Sequence, residues 1–223
     1  IVLNPMTEYI NSALQLFLKD FSYESVFHYL RSGLSDITLK EADELENYVL
    51  QTGIRGYRKW SRLFTGRAAG EGEDEEAFLR LNDIRQRMMQ QISFLYGKKQ
   101  DTVGNYVNQL YDFLVANQVQ EKLVRLEKMF TERGELSRAR EYAQIYRLVM
   151  DLLNQIYELL GTESISLKEF AEILEAGFSE IEVGTIPQNV DRIVVGDMER
   201  TRLKQVKALF FLGVNDGNIP KSA

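Results

Sequence analysis

The stretch LSRAREYAQIYRLVMDLLNQIYELL, Leu136–Leu160, decides the fold class of this chain. Its apolar residues recur at steps of three and four, which places them along one face of a helix. Gly161 follows directly and is placed to end that helix. The pattern therefore predicts one long amphipathic helix. Its apolar stripe consists of Ala139, Ala143, Tyr146, Met150, Leu153 and Leu160.

Helical periodicity continues on both sides of this stretch. It predicts helices over residues 74–97, residues 102–116 and around residues 123–130. A capping box at residues 166–169 predicts a short helix that ends at Gly177. We therefore expect an all-helical bundle in the middle of the chain.

Three more helices are predicted before the bundle. The first covers residues 5–19, and the second begins at a Ser22 cap and stops near Gly33. A capping box that begins at Thr38 predicts a third helix, which ends at Gly53. Residues 5–53 are therefore also expected to be mainly helical.

The last forty residues follow a different pattern. The string VKALFFLGVNDGNIP, residues 206–220, is an apolar run followed by turn residues, which is typical of a buried strand that ends in a loop. A shorter apolar run occupies residues 193–195. In open parallel sheets such loops bind ligands, so the segment from Gly213 is either a functional edge or a simple turn. The expected fold class is mainly α, with a small α/β portion near the C-terminus.

Composition excludes several function classes. The chain has 223 residues, no Cys and one His, which is His28. Disulfides, thiol catalysis and Cys-ligated zinc or iron–sulfur clusters are therefore excluded within it, and His28 is expected to be a structural or surface residue. No apolar run approaches the roughly 20 residues that a membrane span needs, so we expect a cytoplasmic protein.

A basic segment follows the third predicted helix. Although the net charge of the chain is −6, no acidic residue lies between residues 47 and 70. Cations interleaved with aromatic residues suit a surface that follows the backbone of single-stranded DNA, whereas a solvated loop next to the acidic residues 71–76 is the alternative. The cations are Arg55, Arg58, Lys59, Arg62 and Arg67, with Tyr57 and Trp60 among them. Of these residues, the candidate DNA contacts are Arg55, Arg58, Lys59, Trp60 and Arg62.

Two blocks of the sequence resemble one bacterial protein family. The string VGDMERTRLKQVKALFFLGVNDGNIP, residues 195–220, resembles the block around helicase motif V in the AddB (RexB) subunit of AddAB (RexAB) ATP-dependent helicase-nucleases. The strings FSYESVFHYLRSGL, residues 21–34, and ELENYVLQTGIRGYRKW, residues 44–60, resemble the AddB segment that leaves the second RecA-like domain. The similarity is weak between residues 68 and 177. We therefore expect the chain to be an internal piece of a much longer protein.

The resemblance implies three parts. Residues 1–73 would be the helical segment that leaves RecA-like domain 2. Residues 74–177 would be the helical insertion that UvrD-like helicases call domain 2B, and residues 178–223 would return to the RecA-like sheet. In that reading, the small α/β portion is part of the RecA-like sheet and its other strands lie outside this chain.

The motif V block departs from active helicases. These carry Lys-Gly-Leu-Glu in the connector before the strand, where it contacts nucleotide and single-stranded DNA. The residues at those positions are Arg202, Leu203, Lys204 and Gln205, so a direct role in ATP hydrolysis is in doubt. The cations of this block either hold DNA phosphates or are ordinary surface charges. They are Arg200, Arg202, Lys204 and Lys207.

The resemblance implies a non-catalytic DNA-handling segment of a helicase/exonuclease subunit in double-strand break repair by recombination. An AddA-type partner would supply the motor, both single- and double-stranded DNA would bind, and the AddB subunit is thought to scan for the Chi sequence. The ATP and Mg site, the nuclease domain and the 4Fe-4S cluster of the family would lie outside this chain, and we expect no catalytic or metal-binding residue within it. The alternatives are a module that docks the AddA partner and a stand-alone helical adaptor.

Overall fold

The computed structural model describes residues 4–65, 74–95 and 97–185. Within these ranges the chain forms nine helices and two short strands, so the prediction of a mainly α protein with a small sheet portion is confirmed. Both strands lie in the middle of the chain, so the prediction that this part is all-helical is wrong. The strands predicted at residues 193–195 and 206–212 lie outside the described residues. The elements are α1 (Pro5–Leu18), α2 (Tyr23–Leu30), α3 (Leu39–Thr52), α4 (Tyr57–Trp60), α5 (Asp74–Gln91), β1 (Gln100–Thr102), α6 (Val103–Ala116), α7 (Val119–Glu132), α8 (Leu136–Leu160), β2 (Ser164–Ser166) and α9 (Leu167–Thr185).

Helix α3 shows how local signals set the helix boundaries. The Thr38 hydroxyl accepts a hydrogen bond from the Glu41 amide at 3.3 Å, and the Glu41 carboxylate accepts one from the Thr38 amide at 2.8 Å. Gly53 ends the helix in the left-handed region at φ 65°, and its amide donates to the Val49 carbonyl at 2.8 Å. The predicted start and end of this helix are therefore confirmed.

Helix α9 is longer than predicted. It continues through Gly177 to Thr185, so the prediction that Gly177 ends a short helix is wrong. A Cβ at Gly177 would lie 2.7 Å from Leu152 Cδ2 on α8. The glycine therefore permits a close approach of two helices and does not end one.

The two strands form an antiparallel ribbon. In the sequence, β1 lies between α5 and α6, and β2 lies between α8 and α9. Gln100 pairs with Ser166 and Thr102 pairs with Ser164. Backbone bonds extend the ribbon, since the amide of Val103 donates to the Glu163 carbonyl at 2.9 Å. The ribbon brings the start of α6 next to the end of α8.

The helices before and after the basic segment share one apolar core. Tyr9 of α1 is fully buried and stacks between Tyr29 of α2 and Phe113 of α6, with ring centroids 5.3 and 5.0 Å away. Leu45 of α3 and Phe170 of α9 belong to the same buried cluster. None of the helices that the structure describes is both long and apolar enough to cross a bilayer.

A polar network crosses this core. The hydroxyls of Tyr9 and Tyr29 lie 3.0 Å apart, and Tyr29 donates to Gln91 Oε1 at 2.9 Å. Gln91 Nε2 donates to Asp36 at 3.2 Å, and Asp36 pairs with Lys122 of α7 at 2.7 Å. Burial raises the pKa of both tyrosines, so their hydroxyls stay protonated. The network links α1, α2, α5 and α7.

Candidate nucleic-acid interface

The basic segment is fixed at its N-terminal end by the turn between α1 and α2. The Tyr57 amide, the first of α4, donates to Asp20 Oδ1 at 3.1 Å. Gly56 precedes it at φ 84°, and a Cβ there would lie 3.2 Å from the Asp20 carboxylate. A glycine therefore allows the backbone to approach its capping carboxylate.

The other end of the segment is fixed by aromatic burial. Trp60 is fully buried and Phe64 is nearly so, with their rings 5.5 Å apart at an edge-on angle. Phe64 also lies 5.2 Å from the Tyr48 ring of α3. These contacts hold the backbone of residues 60–64 against the core.

Helix α5 adds hydrogen bonds to the same stretch. Asn82 Oδ1 accepts from the Phe64 amide at 2.8 Å, while Asn82 Nδ2 donates to the Phe64 carbonyl at 3.2 Å. Arg85 Nη1 donates to the Trp60 carbonyl at 3.0 Å, and Arg85 Nε donates to Asn82 Oδ1 at 3.2 Å. The Trp60 carbonyl at the end of α4 and both backbone groups of Phe64 are therefore satisfied by two side chains of α5.

Four of the predicted cations lie on this anchored segment, residues 55–62, hereafter the loop. Arg55, Arg58, Lys59 and Arg62 are all exposed, and none forms an ion pair with a residue that the structure describes. A phosphate that approaches them displaces no carboxylate of the described chain. The loop is therefore electrostatically suited to an anion.

Trp60 differs from the four cations. Its side chain has no exposed surface, so it offers no face on which a base can stack in this structure. Sequence reasoning placed it with the cations because it lies between them, but its large apolar ring packs on Phe64 instead. Tyr57, in contrast, is half exposed and packs edge-on against Phe21 at 5.2 Å.

Arg85 is a cation that sequence reasoning missed. It is only 7% exposed, and its partners are two neutral oxygens and the Phe64 ring, with no carboxylate of the described residues paired to it. Burial lowers its pKa from the usual arginine value. The available signal was its position on the apolar stripe of α5, between Leu81 and Met88.

The second predicted basic cluster lies outside the described residues. It consists of Arg200, Arg202, Lys204 and Lys207, and Arg67 lies outside the described residues as well. Of the predicted cations, the four that the structure describes are neighbours in sequence and are all exposed on one loop.

Two grooves on the described chain contain ion pairs. In the part of the chain that the structure covers, no group of three or more His, Asp or Glu side chains is arranged to hold a metal ion. His28 is more than half exposed and pairs with Glu8 at the edge of a groove of about 540 Å³ beside α1 and α9. A smaller groove of about 280 Å³ between α3 and α5 contains the pairs of Arg87 with Glu41 and of Arg80 with Glu44.

Comparison with known proteins gives consistent matches over the whole chain. No protein-family model matches the chain, and the matches are to individual proteins. It is 42% identical over 232 residues to the B subunit of the ATP-dependent helicase/deoxyribonuclease of Lachnoclostridium phytofermentans, a match that covers 100% of this chain and 20% of that protein. The proteins of the same name from Clostridium botulinum and Caldanaerobacter subterraneus are 40% and 36% identical, covering 97% and 99% of this chain and 20% of each relative. The chain therefore spans about a fifth of the length of the curated relatives it matches, and the match includes the middle part where the resemblance is weak by eye.

Proposed function

The chain belongs to the family of ATP-dependent helicase/deoxyribonuclease B subunits, and on that premise we propose that it is a non-catalytic DNA-handling segment of such a protein. The observation that carries the proposal is the loop from Arg55 to Arg62, which is anchored at both ends and presents four exposed cations with no ion pair among the described residues. Its role would be to hold the backbone of a DNA strand during double-strand break repair by recombination.

The chemistry of the loop suggests which kind of DNA contact it makes. Guanidinium and ammonium groups bind phosphate oxygens and do not read bases unless they enter a groove. With Trp60 buried, the loop holds a strand mainly through its charge. Binding should therefore be strongly salt-dependent and only weakly dependent on sequence.

The wider assignment follows the family. We propose that residues 1–73 and 178–223 belong to RecA-like domain 2 and that residues 74–177 form its helical insertion. ATP hydrolysis, with its Mg ion, the nuclease reaction and the 4Fe-4S cluster would belong to parts of the protein outside these 223 residues. The complete cytoplasmic enzyme would pair with an AddA-type partner, and Arg200, Arg202, Lys204 and Lys207 would extend the DNA track.

A salt series tests the DNA assignment. The binding of the 223-residue chain to labelled single-stranded DNA is measured by fluorescence anisotropy, and the affinity is plotted against salt concentration. Replacing Arg58, Lys59 and Arg62 by Glu should weaken binding and make the slope of log affinity against log salt shallower by about 2, because each lost phosphate contact on a single strand contributes about 0.7.

The matched control removes the same charge elsewhere. Arg125, Lys128 and Arg133 of the α7 region are also exposed and have no ion pair within the described residues. Their replacement by Glu changes the net charge equally, so it reports the general electrostatic effect alone. Equal losses in the two triple variants, or an unchanged affinity in the loop variant, would contradict the assignment of the loop.

A second role, docking of the AddA-type partner, has one supporting observation. Tyr111 and Val115 lie one turn apart on α6 and are each 51% exposed, although large apolar side chains are usually buried. The relatives carry the name of one subunit of an enzyme, which implies a complex with another chain. Titration of the chain with an AddA-type protein in a calorimeter should give binding that Tyr111→Ser with Val115→Ser weakens, and heat signals that do not differ between the variants would argue against this surface.

A further inference from the structure

Asn82 and Arg85 connect helix α5 to the backbone that carries the exposed cations. They lie three residues apart on α5 and therefore project from the same side of the helix. Between them they bind the carbonyl of Trp60 and both backbone groups of Phe64, at 2.8 to 3.2 Å. The two side chains thus hold the segment that directly follows Arg58 and Lys59.

The Asn82 side chain pairs with both backbone groups of Phe64, as the backbone of a neighbouring β-strand does. Its amide accepts from the Phe64 N–H and donates to the Phe64 carbonyl, and it also donates to the Phe78 carbonyl of its own helix at 3.1 Å. Every polar atom of the Asn82 side chain is therefore occupied within the protein. A side chain with this set of partners fixes the position of the loop relative to α5.

Burying the charged side chain of Arg85 costs more free energy than burying an apolar side chain in the same place. The residue as a whole is 7% exposed, so its guanidinium group loses part of its hydration, and in the described chain no carboxylate compensates for it. An apolar side chain of similar length would fill the same space without that cost. The charge therefore calls for an explanation. Its hydrogen bond to the carbonyl of Trp60, the residue after Lys59, supplies one, because a buried charge next to the loop is weakly screened.

We propose that Asn82 and Arg85 are positioning residues for phosphate binding by the loop. They hold Arg58, Lys59 and Arg62 on a rigid backbone before DNA arrives, and Arg85 adds positive potential next to the loop. Binding then requires less ordering of the loop, which increases affinity without any further contact to DNA. This proposal rests on the proposed DNA-binding function of the loop.

The chain contains a built-in reporter of loop position. Trp60 is the only tryptophan in the sequence, it is fully buried, and its indole N–H has no hydrogen-bond partner among the described residues. Its fluorescence, excited selectively over the tyrosines, therefore comes from an apolar site within this loop. Release of the loop into water should shift the emission to longer wavelength.

The test compares Asn82→Ala and Arg85→Met with the unaltered 223-residue chain. Each variant should shift the Trp60 emission to longer wavelength and lower the affinity for a labelled single-stranded oligonucleotide about tenfold, while the far-ultraviolet circular dichroism stays the same. Gln86→Ala and Arg80→Met are the matched controls, since both residues are exposed on α5. They should change neither the emission nor the affinity by more than about twofold.

A double-mutant cycle separates positioning from general destabilisation. Arg62→Gln should weaken DNA binding in the unaltered chain and weaken it less in the Asn82→Ala background, because a released loop no longer presents Arg62 to the strand. Arg85→Lys keeps the charge but loses the forked hydrogen bonds, so its affinity should fall between those of the unaltered chain and Arg85→Met. This variant carries the test if Asn82→Ala reduces the helix content.

The outcomes are distinguishable. If the unaltered chain binds DNA and Asn82→Ala shifts the Trp60 emission without changing the affinity, the positioning role is overturned while the proposed function stands. Additive effects of Arg62→Gln and Asn82→Ala would overturn it as well. If the unaltered chain does not bind single-stranded DNA even at low salt, the proposed function fails and the positioning role fails with it.

Discussion

Replacing Gln91 by Met should destabilise the protein, because it leaves a buried hydroxyl hydrogen without an acceptor. In the native network, Tyr9 and Tyr29 share one hydrogen bond, and the remaining hydroxyl hydrogen is donated to Gln91 Oε1 at 2.9 Å. Met has nearly the same length as Gln but cannot accept that hydrogen bond. Both tyrosine side chains are fully buried, so water cannot replace the lost acceptor.

The expected magnitude follows from the partners of Gln91. One buried donor without an acceptor costs about 1–3 kcal/mol. The lost bonds to Asp36 and Ser35 add little. The Asp36 carboxylate is 56% exposed and keeps its pair with Lys122, and the Ser35 hydroxyl, which donates to Gln91 Oε1 at 3.3 Å, is only partly buried, so water can replace the lost acceptor. We therefore expect the free energy of unfolding to fall by about 2 kcal/mol. With a urea dependence of about 2 kcal/mol per molar, the unfolding midpoint should fall by about 1 M.

Urea unfolding followed by circular dichroism measures this loss. Gln90→Met is the matched control, since Gln90 is the exposed neighbour of Gln91 and should tolerate the change within about 0.5 kcal/mol. Removing both hydroxyls as well, in the triple variant with Tyr9→Phe and Tyr29→Phe, should recover part of the loss because no fully buried donor remains unpaired. A Gln91→Met variant as stable as the control, or a triple variant less stable than Gln91→Met alone, would refute the reasoning.

Three further predictions concern helix ends and acid stability. Gly53→Ala should lower the free energy of unfolding by about 1 kcal/mol, because its φ of 65° strains any side chain although the space around it is open; thermal unfolding measures it. Thr38→Ala should cost about 1 kcal/mol and Thr38→Ser much less, because Ser keeps the cap; urea unfolding of both variants tests this. Hydrogen bonds from Arg31 and Tyr23 lower the pKa of Glu46, so the stability this carboxylate contributes is present above its unfolded pKa of about 4.3 and is lost as pH falls through its lower folded value. Accordingly, the stability difference between the unaltered chain and Glu46→Gln should be larger at pH 7 than at pH 3, and urea midpoints at both pH values would show whether it shrinks.

The sequence predicts the helices well where periodicity and caps agree. Leu136–Leu160 has the predicted bounds, and the cap at Thr38 and the left-handed Gly53 mark α3 as expected. These signals are local, because a capping box and a terminal glycine act within one helical turn. The predicted boundaries therefore need no knowledge of the tertiary structure.

Features that depend on long-range packing are not predictable in the same way. The ribbon of β1 and β2 pairs residues more than sixty positions apart, and strands of three residues are too short to show alternation. Glycine commonly ends a helix, but the role of Gly177 is set by its contact with Leu152 on another helix.

Some residues of the candidate site can be predicted from the sequence and others cannot. The charges of Arg58, Lys59 and Arg62 are visible in the sequence, since an acid-free basic stretch needs no structure to be recognised. The partners that hold the loop, Asn82 and Arg85, are not visible, because hydrogen bonds to backbone groups leave no pattern in composition. Only the fold brings them to the loop.

The ribbon of β1 and β2 makes the chain enter and leave the helices α6, α7 and α8 at one point. Thr102 faces Ser164, and the amide of Gly104 donates to the Gly161 carbonyl at 2.9 Å. Because entry and exit are tied together, a change of length at the far turn, near Gly134, does not alter the distance between α5 and α9. Relatives could therefore lengthen or shorten the hairpin of α7 and α8 during evolution and still keep the loop-bearing part of the molecule in register.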